Sequence, residues 1–216
     1  MLRTVVVGDI HGCYDELRDL LDQLALTADD RLVAVGDLTC KGEQSRAVLD
    51  LFISDPRFSS VIGNHDRALL RYWQGAGVEL KPSQEKARVK LEPERETYLH
   101  YLSTLPYLID LGTHAVAHAG VRPGVPLDQQ SPDDLTELRT LGPDRTDRAG
   151  APWYQAYEGA QVVLFGHWPA PVPRLGPRAI GLDTGCVYGF HLTAYVVEAD
   201  QFVRVKARRT YEQPKK

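Results

Sequence analysis

Apolar residues fall along this chain in short runs, and five of them break off at glycine or alanine beside histidine, aspartate or asparagine. They are VVVGDIHG (5–12), VAVGDL (33–38), VIGNHD (61–66), AVAHAG (115–120) and VVLFGH (162–167). A β-branched run that stops at glycine reads as a short buried strand. Leu17, Leu20, Leu21 and Leu24 recur at helical spacing, which predicts an amphipathic helix over residues 14–26. Ala47, Val48, Leu51 and Phe52 mark a second helix ahead of a third strand near Phe58 to Ile62. The order strand, helix, strand, helix, strand predicts right-handed crossovers and a largely parallel first sheet. Ligands of such sheets gather outside the carboxyl ends of the strands.

Residues 67–104 are charged and helix-prone, interrupted by Gly75, Gly77, Pro82 and Pro93. They predict a helical excursion able to overhang the strand ends. Strand patterns dominate the second half, at Tyr107 to Leu111, Ala115 to His118, Val162 to Phe165, Ala179 to Leu182, Leu192 to Glu198 and Phe202 to Lys206. Residues 121–154, rich in Pro, Gly and Asp, predict loop with a short helix near Pro132 to Arg139. A second sheet packed on the first would bury this many strands.

At 216 residues the chain suits one domain, and a net charge of −4 makes no case for nucleic acid or an anionic membrane. Arg204, Lys206 and Arg208 alternate along the last strand, with Arg209, Lys215 and Lys216 nearby; a nucleic-acid patch would explain them, but a charged edge strand and solvated tail explain them better. Three cysteines make no disulfide framework, the apolar run at Val5 is too short for a signal segment, and no stretch approaches the roughly 20 apolar residues of a membrane span. The expected location is the cytoplasm, with no membrane partner.

The junction residues are metal-ligating types. Asp9 and His11, two apart, would lie on one side of an extended chain. Asp37 and Asn64 add oxygen donors from the next two strand ends, and His118 and His167 add imidazoles from the other half. Three oxygens and three imidazoles without a thiolate suit Mn, Fe, Zn or Co better than Ca or Cu(I). Six ligands suit two ions sharing a carboxylate, about 3.5 to 4 Å apart, the arrangement that clamps both oxygens of an in-line displacement at phosphorus. Any one junction is explained by turn preference alone. Five in succession, each after an apolar strand, are not.

Gly8-Asp9-Ile10-His11-Gly12, Gly36-Asp37-Leu38 with Gly42, Gly63-Asn64-His65-Asp66, His118-Ala119-Gly120 and Gly166-His167 resemble the calcineurin-like metallophosphoesterases. More narrowly they resemble the phosphoprotein-phosphatase branch and the bacterial bis(5'-nucleosyl)-tetraphosphatases. The opening GDIHGCYDEL, Phe165-Gly166-His167-Trp168 and Asp183-Thr184-Gly185-Cys186 lie nearest the latter group. The resemblance implies an α/β fold, a four-layer αββα sandwich of two mixed β-sheets flanked by helices, spanning residues 1–216 as one domain. It implies a dinuclear hydrolase, manganese foremost among the transition metals with Fe, Zn, Co or Ni as alternatives. Asp9, His11 and Asp37 would hold one ion; Asp37 would bridge to a second held by Asn64, His118 and His167. His65 would be the general acid, and a hydroxide bridging the ions would attack phosphorus in line. The implied substrates are dinucleoside polyphosphates of the diadenosine tetraphosphate type, with phosphoserine or phosphothreonine proteins and small phosphomonoesters as alternatives and a non-catalytic metal-binding scaffold as a remoter one.

Two residues depart from the family pattern. Lys41 stands where arginine is usual, and it keeps the charge but loses the bidentate fork. Cys40 stands where many protein phosphatases carry the aspartate that orients the catalytic histidine, and adjacent Asp66 is no obvious substitute. Arg139, expected on the short helix, and Arg67 are further candidates for phosphate binding with Lys41. Trp168 and Tyr188 are aromatic enough to stack on a base, although core or rim packing explains them better.

Overall fold

The computed structural model describes residues 2–213. The first valine run forms β1 (Thr4–Val7), parallel to β2 (Arg31–Ala34), which is parallel to β3 (Phe58–Ser60). The crossovers are α1 (Tyr14–Leu24) and α2 (Ser45–Ser54). The excursion opens at Asn64 and comprises α3 (Asn64–Trp73), α4 (Pro82–Leu91) and α5 (Arg95–Thr104). Pro82 begins α4, where a missing N–H costs nothing.

Then follow β4 (Leu108–Asp110), β5 (His114–Ala117), α6 (Pro132–Glu137), α7 (Trp153–Ala156), β6 (Val162–Phe165), β7 (Arg174–Gly176), β8 (Ala179–Gly181), β9 (His191–Val196) and β10 (Gln201–Lys206). The last hairpin returns to the first sheet, with β9 antiparallel to β1 and the order β10-β9-β1-β2-β3. The parallel reading of the first sheet therefore holds for its first three strands, and the closing hairpin makes it mixed. The second sheet runs β4-β5-β6-β8-β7, parallel through β5, β6 and β8 and antiparallel at both edges.

Side-chain alternation turns these sheets into four layers. Val5 and Val7 of β1 join Leu17, Leu20, Val48 and Phe52 in a core between the first sheet and its helices. Val6, between them, points the other way, into a core shared with Val33, Val116 and Leu164 from both sheets. Val163 and Phe165 of β6 face a third core around Trp153, Leu135 and Tyr154. The αββα sandwich follows from this period of two.

Arg204 and Lys206 lie on the edge strand β10, as expected, whereas Arg208 lies beyond it and pairs with Asp19 at 2.8 Å. Lys215 and Lys216 lie outside the described residues. No helix among the described residues is long and apolar enough to cross a membrane.

Candidate metal centre

The carboxyl ends of β1, β2, β3, β5 and β6 converge where the two sheets meet, and they bring together all six residues of the sequence-derived ligand set. His11 Nε2 lies 3.4 Å from Asp37 Oδ2 and 3.9 Å from Asp9 Oδ2. His118 Nε2 lies 3.6 Å from Asp37 Oδ2, and Asp9, Asp37 and His118 have donor atoms mutually within 4.8 Å. Asn64 Oδ1 sits 3.0 Å from His118 Nε2 and 2.9 Å from His167 Nδ1. Asp37 is thus shared between two groups of neighbours.

The expected extended geometry at Asp9 and His11 is not what brings these side chains together. His11, Asp37, Cys40, Lys41 and His167 all have left-handed backbone, with φ of 48, 51, 72, 60 and 66°. Non-glycine residues in this region cost on the order of 1–3 kcal/mol each, and such strain collects at functional sites. The tight turns fold ligands back over the strand ends, and glycines make room. A Cβ on Gly63 would strike Asp37 Oδ1, and one on Gly166 would strike Asp9 Oδ1.

Bonds to the backbone set the imidazoles. His11 Nδ1 is 3.0 Å from the Thr39 carbonyl oxygen and His118 Nδ1 is 2.8 Å from that of Val35. A carbonyl only accepts, so Nδ1 carries the proton and Nε2 turns a lone pair inward, as in metal-binding histidines. His118 Nε2 and Asn64 Oδ1 are then two acceptors facing each other with no proton between them. Among the described residues His167 Nε2 is buried with no hydrogen-bond partner, while the His167 N–H donates to both Asp9 oxygens at 3.1 Å. Lys41 Nζ lies 2.7 Å from His11 Nε2, an ammonium against the inward lone pair.

The electrostatics agree. Burial raises the pKa of Asp9 and Asp183 and brings that of Asp37 to about 6. Burial also lowers His118 to about 4 and holds His11 and His167 well below the usual imidazole value. Crowded carboxylates whose ionisation burial opposes more than Lys41 favours, and neutral imidazoles, are complementary to divalent cations. The donor set fits two such ions sharing Asp37.

His65 is brought to the same place. Its N–H, at the start of α3, donates to Asp37 Oδ1 at 2.9 Å, and its ring packs edge-on to His11 with centroids 5.2 Å apart. Burial, followed by the charge of Lys41, holds its pKa well below the usual value. The side chain beside it was not foreseen: Gln84 of α4 places Nε2 3.3 Å from His65 Nδ1. Gln84 Oε1 accepts from the Lys81 N–H at 2.8 Å, which fixes the amide so that its NH₂ faces the ring. The Cys40 thiol is buried beside Thr39 Oγ1, its pKa pushed up by burial, and supplies no carboxylate. Asp66 faces away from the ring and accepts from the Leu38 N–H (3.0 Å), the Thr39 N–H (3.1 Å) and the Thr39 hydroxyl (2.7 Å).

A cavity of about 870 Å³ opens over Asp37, Asn64, His65 and His167, and Lys41, Arg139 and Tyr188 line it. Arg139 lies past the end of α6, not on it, because the helix stops at Glu137. Arg67 is not in this cavity. Its guanidinium donates to Asp133 at 2.8 Å and to Thr136, and stacks over Tyr107, so the arrangement does not support its reading as a phosphate ligand. Trp168 is likewise engaged elsewhere, under Arg174 at 4.5 Å and against Tyr154. The sequence reading missed Gln84, Lys81, Lys86, Lys90 and Arg148; all but Gln84 line the cavity directly. Four of the five belong to the charged excursion read as overhanging the site, which was their only signal.

Residues 2–190 match the calcineurin-like phosphoesterase family, and the chain belongs to that family. It is 32% identical to an asymmetrical bis(5'-nucleosyl)-tetraphosphatase, PrpE, of Halalkalibacterium halodurans, over 94% of each chain. A symmetrical bis(5'-nucleosyl)-tetraphosphatase of Vibrio campbellii is 28% identical, covering 89% of this chain and 94% of its own. A crystal structure provisionally described as a diadenosine tetraphosphatase superposes with a TM-score of 0.79 at 35% identity, over 95% of this chain and 93% of the other. Membership of the family implies divalent metal ions, and the buried donor set accommodates them.

Proposed function

We propose that this chain is a cytoplasmic hydrolase of dinucleoside polyphosphates, working as one domain with two transition-metal ions, manganese foremost. The observation that carries this reading is the cluster of acceptors, His118 Nε2 and Asn64 Oδ1 facing each other with His167 Nδ1 2.9 Å from the same Asn64 oxygen, beside a shared Asp37. Asp9, His11 and Asp37 would hold one ion, and Asp37, Asn64, His118 and His167 the other. Bound ions supply charge to the phosphoryl oxygens and lower the pKa of the attacking water. To free its lone pair, His11 must release Lys41, whose ammonium is then available to phosphate oxygens together with Arg139.

His65 is the group for the leaving oxygen. Because Gln84 donates to Nδ1, the ring's proton resides on Nε2, the nitrogen free of the amide. In the neutral ring that nitrogen hydrogen-bonds the leaving oxygen. To act as the general acid the ring first takes up a second proton from solvent, then gives the Nε2 proton to the oxygen as the P–O bond breaks and returns to neutral imidazole. A phosphoanhydride leaves as a stabilised phosphate and asks little of this donor, whereas a serine alkoxide asks much. The amide at Gln84 and the thiol at Cys40, in place of a carboxylate, thus favour the dinucleotide over the phosphoprotein.

The test is a kinetic panel on the manganese-loaded protein comparing diadenosine tetraphosphate, a phosphoserine peptide and an aryl phosphate. The highest kcat/KM is expected on the dinucleotide, with turnover falling to background after exhaustive chelation. A higher value on the phosphopeptide would overturn the substrate, and turnover that survives chelation would overturn the two-ion centre. Product analysis assigns symmetrical or asymmetrical cleavage, since relatives are named for each.

A further inference from the structure

The cavity above the metal centre is lined by six cations, Lys41, Lys81, Lys86, Lys90, Arg139 and Arg148. Four of the chain's seven lysines are among them, in a protein whose net charge is −4. Their pairing sets them apart. Ten arginines elsewhere lie within 4.0 Å of a carboxylate oxygen. None of the six in the cavity does so among the described residues. The carboxylates that share the lining are Asp37, turned into the ligand set, Glu43, paired with Arg209 at 2.6 Å, and Glu212. Like charges gathered around a concave wall repel one another and focus a positive field, a cost that an anionic occupant reverses.

Three of the lysines are aligned. Lys86 and Lys90, four residues apart, share one face of α4, and Lys81 stands at its N-terminal end. Together they span roughly 13 Å of helix rise. One end of the row reaches the reacting centre, where the charge of Lys81 acts on both Asp37 and His65. The other end is Lys90, whose Nζ donates to the Glu43 carbonyl at 3.0 Å. Lysines offer point charges on flexible stems, which suit a linear chain of phosphates better than one planar anion held by a fork.

We propose that Lys81, Lys86 and Lys90 form a rail that binds the phosphates beyond the scissile bond, so that the site selects its substrate by the length of a polyphosphate chain. This rests on the phosphohydrolase reading of the metal centre and adds to it a subsite on α4. A confined cavity and a linear row of charges favour a small polyphosphate over a folded phosphoprotein or a nucleic-acid strand.

The test uses Lys86→Gln/Lys90→Gln in the full chain; both side chains are exposed, so an unchanged Tm is expected. In the manganese-loaded protein the ratio of kcat/KM for diadenosine tetraphosphate to that for an aryl phosphate should fall about 10-fold, chiefly through KM. Direct titration with inorganic tripolyphosphate should show a similar loss of affinity while orthophosphate affinity changes less than about two-fold. Raising the salt should narrow the gap between variant and wild type. An unchanged ratio with unchanged tripolyphosphate affinity would overturn the rail, as would a loss confined to a phosphopeptide or single-stranded RNA. If the wild type turned over no phosphate compound, the hydrolase reading would fail, while the tripolyphosphate titration would still decide the rail.

Discussion

The floor and the rim of the cavity are built on opposite principles. The floor is buried: Asp9, His11, Asp37, His118 and His167 are all 9% exposed or less, and backbone carbonyls or N–H groups hold their orientation. The rim carries Lys81, Lys86 and Lys90 at and along α4 and Arg148 across from them, exposed cations with no carboxylate within 4.0 Å among the described residues. Burial and left-handed turns give the floor fixed geometry, at the cost of carboxylates that resist ionising. Exposure gives the rim strong charge on movable stems. The chain thus separates the chemistry at phosphorus, which needs fixed positions, from recognition of what is attached to it, which needs reach.

Acidification tests this division with the largest expected effect. A protonated carboxyl holds no cation, and Asp37 takes up its proton near pH 6 while the buried imidazoles remain neutral to lower pH. Apparent metal affinity should therefore be nearly independent of pH above about 6 and weaken progressively as pH falls below it, taking activity on every substrate with it. An affinity that does not weaken between pH 6 and the pKa of the imidazoles would show that the carboxylates are not the limiting ligands.

Next in size is His65→Asn, which should leave metal content intact and slow poor leaving groups by about 10²-fold, with a smaller loss on phosphoanhydrides. Equal loss on both would remove the proton-donor role. Gln84→Ala should cost about 10-fold in kcat with KM little changed, since an orienting partner is lost while the donor stays. A change in KM alone would move Gln84 from the floor to the rim.

The floor was legible in the sequence because each ligand directly follows an apolar strand, and burial and chemistry meet within a few residues. What failed there was the backbone conformation: nothing in Asp9-Ile10-His11 announces φ of 48° at His11. The sheets were legible for the same reason, except for β7, only three residues long and none of them fully buried, and α7, a single turn around Trp153. The rim was legible only as a charged helical stretch. Lys86 reads as a solvated helix residue until the fold places it above a cluster of carboxylates. Gln84 carries no signal at all, because its meaning comes from His65, 19 residues away, and from the Lys81 N–H that fixes its amide. Arg67 shows the converse, a cation near a motif in sequence that the fold places outside the cavity and pairs with Asp133.

Asn64, His65 and Asp66 stand side by side at the start of α3, one facing His118 and His167, one facing Asp37 and Gln84, one gripping the turn after β2. Three consecutive peptide units therefore act as a gauge block between two strand ends. The separation of the Asp37 carboxylate from its neighbouring donors is set by bond lengths along a helix end.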